Sequence, residues 1–188
     1  MESNLQDLNK AAITNGLIIG VLASVIGVVT YYVAPSLMGS TSYGIGLMLI
    51  SLALYIYFTL DLRKKIGGYW NFKTALKGIF LMAFIAGLFG MIFNFVFYKF
   101  IEPEAFGKIS GYVTEGATKT FENLGMQQEQ IDEAVEKQLE AMRGQFDPTF
   151  TDLAKNFGIA ILVQFIMSLI FAAIFKKDHP AFAPTTEE

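Results

Sequence analysis

Four stretches of this chain carry almost no charge, and nothing else in it constrains the fold so tightly. They are Ile13–Val33, Tyr43–Leu62, Gly78–Tyr98 and Phe157–Phe175, and the only charged side chain among them is Asp61. The rest of the chain holds all 14 basic residues and all but one of the 17 acidic ones. Each stretch has about the ~20 residues that an α-helix needs to cross the hydrocarbon of a bilayer. Lipid offers no hydrogen-bond partners, so each must satisfy its own backbone as a helix. Composition agrees: 53% of residues are hydrophobic and 16% charged, against about 25% charged in an average soluble domain. This excludes an ordinary soluble globule, a disordered chain and a nucleic-acid binder. The expected fold is all-α, a polytopic membrane protein built as a four-transmembrane-helix bundle. The first stretch is too long for a signal-peptide core and lacks a basic leader, so it reads as a retained helix.

Local signals place the ends. Ser3 with Gln6 reads as a capping box for the first helix, and Pro35 stops it near Ala34. Gly67-Gly68 ends the second helix. Asn71 is an N-cap for the third, which should run from about Phe72 to Phe100. Asp147-Pro148 reads as a cap followed by proline at the first helical position, which starts the fourth near Pro148. Residues 1–100 thus hold spans one to three, and 148–177 hold span four, whose apolar part is 157–175. Residues 178–188 read as a disordered cytoplasmic tail.

Residues 101–147 differ in character. Glu102-Pro103-Glu104 is a second cap-plus-proline signal, with acids in the first turn. Phe106, Ile109, Val113, Ala117, Phe121 and Leu124 recur at steps of three and four, as one apolar stripe on a helix does. Gly125 falls where that helix should end. A second stripe follows in Ile131, Val135, Leu139, Met142 and Phe146. The segment is expected to form an amphipathic helical hairpin between spans three and four, too polar to cross a membrane.

Charge orients the whole. The loop between spans two and three carries Arg63, Lys64, Lys65, Lys73 and Lys77 and no acid, while the loop between spans one and two is uncharged. Short basic loops stay in the cytoplasm. Both termini are then cytoplasmic and the hairpin is extracytoplasmic. From Lys99 to Asn156 there are six basic and eleven acidic residues. Tyr31, Tyr32, Tyr43 and Tyr98 fall at the outer boundary and Tyr69 and Trp70 at the inner one, the usual place for amphipathic rings.

Three groups of residues are candidates for more than packing. Gly16, Gly20, Ser24 and Gly27 line one face of span one, and Gly87 and Gly90 do the same in span three; small residues let backbones approach closely. The bland alternative is a bundle core, and the sharper ones are a dimer seam or a substrate groove. Asn94, Gln164 and Ser168 are candidate interhelical polar contacts. The cluster Arg63, Lys64, Lys65, Lys73 and Lys77 either signals topology alone or contacts anionic lipid, at ~1 kcal/mol per basic residue near the surface. Asp61, beside Arg63–Lys65 at the inner edge, is expected to be ion-paired or hydrated. Cysteine is absent and His179 is the one histidine, which leaves no thiolate metal site and no Ser-His-Asp relay. No catalytic residue, cofactor or metal is expected.

The run Asp61-Leu62-Arg63-Lys64-Lys65-Ile66-Gly67-Gly68-Tyr69, then Phe72-Lys73, resembles the signature loop of a bacterial membrane family, domain of unknown function 4199. Tyr98 with Ile101-Glu102-Pro103, Gly125-Met126 with Glu129-Gln130-Ile131, and Lys176-Lys177 resemble its later landmarks. The resemblance implies four spans in the bacterial inner membrane, no established activity, and a link to polyprenol-phosphate sugar transferases encoded near members of the family. Two functions follow as expectations. The first is a non-enzymatic structural, interaction or accessory subunit that uses its hairpin to recognise a membrane-protein partner or a second copy of itself. The alternative is a small transporter or flippase-like accessory for lipid-linked sugars or other anionic lipids, working with a membrane glycosyltransferase.

Overall fold

The computed structural model describes residues 2–146 and 148–178. Among these there are six α-helices and no strand: α1 (Glu2–Val33), α2 (Thr41–Lys65), α3 (Phe72–Val96), α4 (Ala105–Asn123), α5 (Gln128–Phe146) and α6 (Phe150–Phe175). A 3-10 turn, Pro35–Gly39, joins α1 to α2, and a π-helical turn, Phe97–Ile101, extends α3. Four helices (α1, α2, α6 and α3 with its extension) are long and apolar enough to cross a membrane.

Several ends fall where the residues require them. Asn71 Oδ1 accepts from the Thr74 N–H at 2.9 Å, so one orphan donor of α3 is satisfied by the cap. Gly67 and Gly68 take φ of +95° and +85° after α2, and Gly125 takes +74° after α4, a region that glycine enters without a Cβ penalty. The start of α6 departs from expectation. Its cap is Thr149, whose hydroxyl accepts from the Asp152 N–H at 3.2 Å, while the Asp152 carboxylate accepts from the Thr149 N–H at 3.0 Å. A reciprocal box satisfies two orphan donors where a lone capping acid satisfies one, and the helix begins at Phe150. Asp147 lies outside the described residues, as do the Ser3 side chain of the first capping signal and the tail from His179 onward.

α3 is the central post: α1 and α6 pack along it, and α2 leans mainly on α1. One core sits at the end carrying the basic loop, where Leu8, Ala12 and Ile19 of α1 meet Ile79, Met82 and Ala86 of α3, with Leu62, Trp70 and Phe171 closing around them. A second core lies at the opposite end, where Tyr31 and Phe97 meet Ala105, Ile109 and Val113 of α4. α4 and α5 run antiparallel and bury Ala117 against Ile131 and Val135. Both apolar stripes therefore turn inward, against each other and against the bundle. The last residue of the first stripe is the exception: Leu124, beyond the helix end, is 72% exposed.

Candidate functional site

The end of the molecule formed by α4 and α5 concentrates its polar architecture. The hairpin is tied down by one carboxylate. In the π-helical turn the Glu102 N–H donates to the Phe97 carbonyl, five residues back, at 2.8 Å, and Glu102 lies beside the end of α1. There its carboxylate accepts from the hydroxyls of Tyr31 and Tyr32, both at 2.7 Å, and from Lys108 Nζ at 2.9 Å. These donors favour the charged form. With Lys108 contributing most and the tyrosines next, the Glu102 carboxyl is held down at about 2, and Lys108 is pushed up in turn by its bond to Glu102. The sequence marked Glu102 as a cap, but the residue at the N-cap of α4 is Glu104, and its side chain makes no capping bond. The tyrosine pair and the acid are each legible in the sequence. Their meeting across 70 residues is not.

Two glycines complete the attachment. A Cβ on Gly39 would overlap the Tyr112 carbonyl of α4, and a Cβ on Gly116 would overlap the Gly39 carbonyl. The Thr41 and Thr120 hydroxyls share a hydrogen bond at 2.9 Å beside this crossing. Neither glycine belongs to a repeat of small residues, which is the signal that would have found it.

On its outer side the hairpin is polar. A cavity of about 510 Å³ runs between α4 and α5. Ser110, Thr114 and Thr118 line one wall at steps of four residues, and Asp132, Glu136 and Glu140 line the other at the same spacing. Each row is one helix face. Arg143 stands at one end of the groove, over the Phe106 ring at 5.1 Å. The remaining acids sit outside the groove, with Glu133 paired to Lys137 at 2.6 Å. That bond lowers the Glu133 carboxyl and raises the Lys137 ammonium.

A second cavity, of about 420 Å³, lies where α3, α6 and the hairpin converge. Asn94 and Gln164 both line it, together with Asn156. The Gln164 amide packs on Gly87, whose Cβ would overlap it. Ser168 does not reach across the helices: its hydroxyl donates to the Gln164 carbonyl of its own helix at 2.7 Å. Within the described residues the spans do share other polar contacts. Asn15 Nδ2 donates to Asp61 Oδ2 at 2.8 Å, and the Thr30 and Tyr43 hydroxyls bond to each other. These two contacts pin α2 to α1 at its two ends.

The small-residue positions divide. A Cβ on Gly16 would come within 2.5 Å of the Met82 carbonyl oxygen, and one on Gly20 within 2.9 Å of the Phe89 ring. Ser24 is half-buried, its hydroxyl donating to the Gly20 carbonyl at 2.8 Å. Gly27 and Gly90 have nothing within 4 Å of where a Cβ would stand. The basic cluster divides too. Lys65 pairs with Asp61 at 2.9 Å. Arg63 donates to the Phe175 carbonyl at 3.5 Å, and Trp70 Nε1 donates to the same oxygen at 2.8 Å. A cation at a helix C-terminus meets the negative end of its dipole, so Arg63 helps to cap α6. Lys64, Lys73 and Lys77 are exposed. No group of acidic, histidine or cysteine side chains able to hold a metal occurs among the described residues.

Four apolar helices with a helical pair packed over one end define a multi-pass membrane protein of the four-span class. The chain belongs to the family described as protein of unknown function DUF4199, whose profile matches residues 14–177. No curated protein and no solved structure matches it.

Proposed function

We propose that this is a non-enzymatic accessory protein of the bacterial inner membrane that presents its α4–α5 hairpin to a partner with a basic surface. The observation that carries this reading is the division of the hairpin's two sides. One side is buried on the bundle and fixed there by Glu102 and by the Gly39–Gly116 crossing. The other offers a groove with a row of hydroxyls facing a row of carboxylates. A module that is already rigid loses little freedom on binding, and a single-sign row steers an oppositely charged partner into register. The basic loop supports an orientation with both termini in the cytoplasm and the hairpin outside. Exposed Lys64, Lys73 and Lys77 then face anionic head groups of the inner leaflet.

A photo-crosslinking residue in place of Thr114, read in the native membrane, tests the reading. A discrete product is expected, and it should fall at least tenfold when Asp132→Asn, Glu136→Gln and Glu140→Gln are combined. No product, or one indifferent to those charges, would rule the reading out. The chain has no cysteine, so an introduced thiol reports a single site. Lys119→Cys should react with a membrane-impermeant maleimide in intact cells and Lys73→Cys only after permeabilisation. The reverse pattern would invert the orientation.

A further inference from the structure

The cavity between α3, α6 and the hairpin has a feature that bundle packing does not require. Asn94, Asn156 and Gln164 all line it, and no hydrogen bond within the described residues engages any of their amides. Asn94 and Asn156 are exposed and Gln164 is half-buried, so their amide donors are available at the cavity, and Gln145 of α5 adds a fourth amide to its lining. The heights of the first three follow from the register. Gly87 and Gln164 touch, which closes the floor of the cavity. Asn94 is seven residues further along α3, about 10 Å at 1.5 Å per residue. α6 runs the opposite way, and Asn156, eight residues before Gln164, stands about 12 Å above the same floor. The two asparagines are therefore nearly level. From Gly87 to Tyr98, at the top, is about 16 Å, roughly half of the ~30 Å hydrocarbon thickness. The cavity has the depth of one leaflet.

We propose that this cavity binds a single glycerolipid: an acyl chain descends to Gln164, and its uncharged glycerol ester sits between Asn94 and Asn156. Ester carbonyls accept hydrogen bonds, and a primary amide supplies two donors. The volume of about 420 Å³ lies in the range of small-molecule sites, about 300–1,000 Å³, which combine apolar walls with a few convergent polar groups. Among the described residues no charged side chain lines the cavity, so the site favours the ester and the chain over a phosphate. That distinguishes it from the exposed lysines at the other end of the molecule. The proposal is independent of the hairpin's partner.

The test reconstitutes the intact protein in phosphatidylcholine vesicles. Each preparation carries about 1 mol% of a diacylglycerol, a phosphatidylcholine or a phosphatidylglycerol with a photoactivatable acyl chain, a trace level suited to a built site. Crosslinked residues are mapped by mass spectrometry. Labels are expected to concentrate between residues 91 and 98 and between 156 and 164, with diacylglycerol at least threefold above phosphatidylglycerol. Ala160→Phe, which fills the cavity, should cut labelling there at least fivefold. Asn94→Leu with Asn156→Leu should cut it at least threefold, while Asn94→Gln, which keeps an amide, should retain it. Ile45 and Leu49 on the exposed face of α2 report ordinary lipid contact and should label equally in every variant. Labelling of the α3–α6 seam that ignores Ala160→Phe, or phosphatidylglycerol labelling as strong as diacylglycerol, would overturn the proposal.

Discussion

α3 is gripped on its two flanks in opposite ways. Against α1 it is closed: Gly16 sits over the Met82 carbonyl and Gly20 over Ala86 and Phe89, so the two backbones approach closely. Against α6 the same helix is held off. There Gln164 and Gly87 make the close contact, the Phe80 and Phe165 rings meet edge to face at 5.6 Å, and a cavity opens beyond them. An apolar cleft of about 370 Å³ lies on the other side of Gln164, between α2, α3 and α6. In lipid there is no hydrophobic force to press helices together, and association rests on packing and polar contacts. Small residues close the α1 seam at Gly16 and Gly20, with a smaller cleft of about 200 Å³ further along between Ser24, Val28, Phe89 and Phe93, whereas the seam built from Phe, Met and amides leaves larger gaps. The difference teaches where stability and binding are divided: the α1 seam holds the bundle, and the α6 seam has room for something else.

The strongest way to break this comparison is to put a methyl group into the closed seam. Gly16→Ala would drive its Cβ to 2.5 Å from a backbone oxygen, which a side-chain rotation cannot relieve. Overpacking of this kind costs about 1–3 kcal/mol, read as an earlier unfolding midpoint in an SDS titration. Gly27→Ala, on the same helix with nothing within 4 Å, should stay within about 0.5 kcal/mol of the parent. Equal effects at the two positions would mean that α1 and α3 do not meet as described. Next in size is the hairpin's own closed crossing. Gly116→Ala would push into the Gly39 carbonyl and should cost about 1–2 kcal/mol. Its signature is local: α4 and α5 should become sensitive to protease while the spans keep their midpoint.

The two seams also differ in how well the sequence reveals them. Helix ends and spans follow from local chemistry, as at Pro35, Asn71 and Gly125, because caps and stops act within a few residues. The helical pair was equally legible, since its stripes at steps of three and four have one amphipathic solution. Steps of three and four also marked small faces in spans one and three, but periodicity cannot say where along a face the neighbour crosses. Gly16 and Gly27 look alike in the sequence, and only the crossing point separates them. Pairings at long range were invisible for the same reason. Asn15 with Asp61 and Glu102 with Tyr31 and Tyr32 depend on which helices become neighbours. Asn94 and Gln164 stood out as polar residues in apolar spans, yet their placement around one cavity with Asn156 needed the antiparallel register of α3 and α6.

A smaller perturbation uses pH to loosen the hairpin without touching either seam. The folded Glu102 carboxyl stands at about 2, below its ordinary 4.5. A depressed acid contributes stability that is fully present above its unfolded value and is lost as pH falls through the folded one. The hairpin should therefore stay docked down to about pH 4.5 and loosen progressively toward pH 2. Spin labels on Lys119→Cys and Ser42→Cys, both beside the crossing of α4 with the 3-10 turn, would report the separation. Glu102→Gln should show at pH 7 the mobility that the parent shows near pH 2, with its own pH dependence across this window abolished. A parent that loosens above pH 5 would mean that another group controls the attachment.

The smallest expected effect is the most informative about the open seam. If the α3–α6 cavity is spare room and not part of the load that holds the bundle, changes there should leave stability almost untouched. Asn94 is exposed and makes no hydrogen bond within the described residues, so Asn94→Leu removes no internal contact and should shift the SDS midpoint by less than about 0.5 kcal/mol. Gly87→Ala lies a few residues away on the same helix and supplies the contrast. Its methyl would meet the Gln164 amide, but that amide ends a flexible side chain and can rotate into the adjoining cleft. The expected cost is therefore well below that of Gly16→Ala, although the overlap drawn on the rigid structure is at least as severe. Should Gly87→Ala destabilise as much as Gly16→Ala, the seam against α6 would be as closed as the one against α1, and the contrast between the two flanks of α3 would disappear.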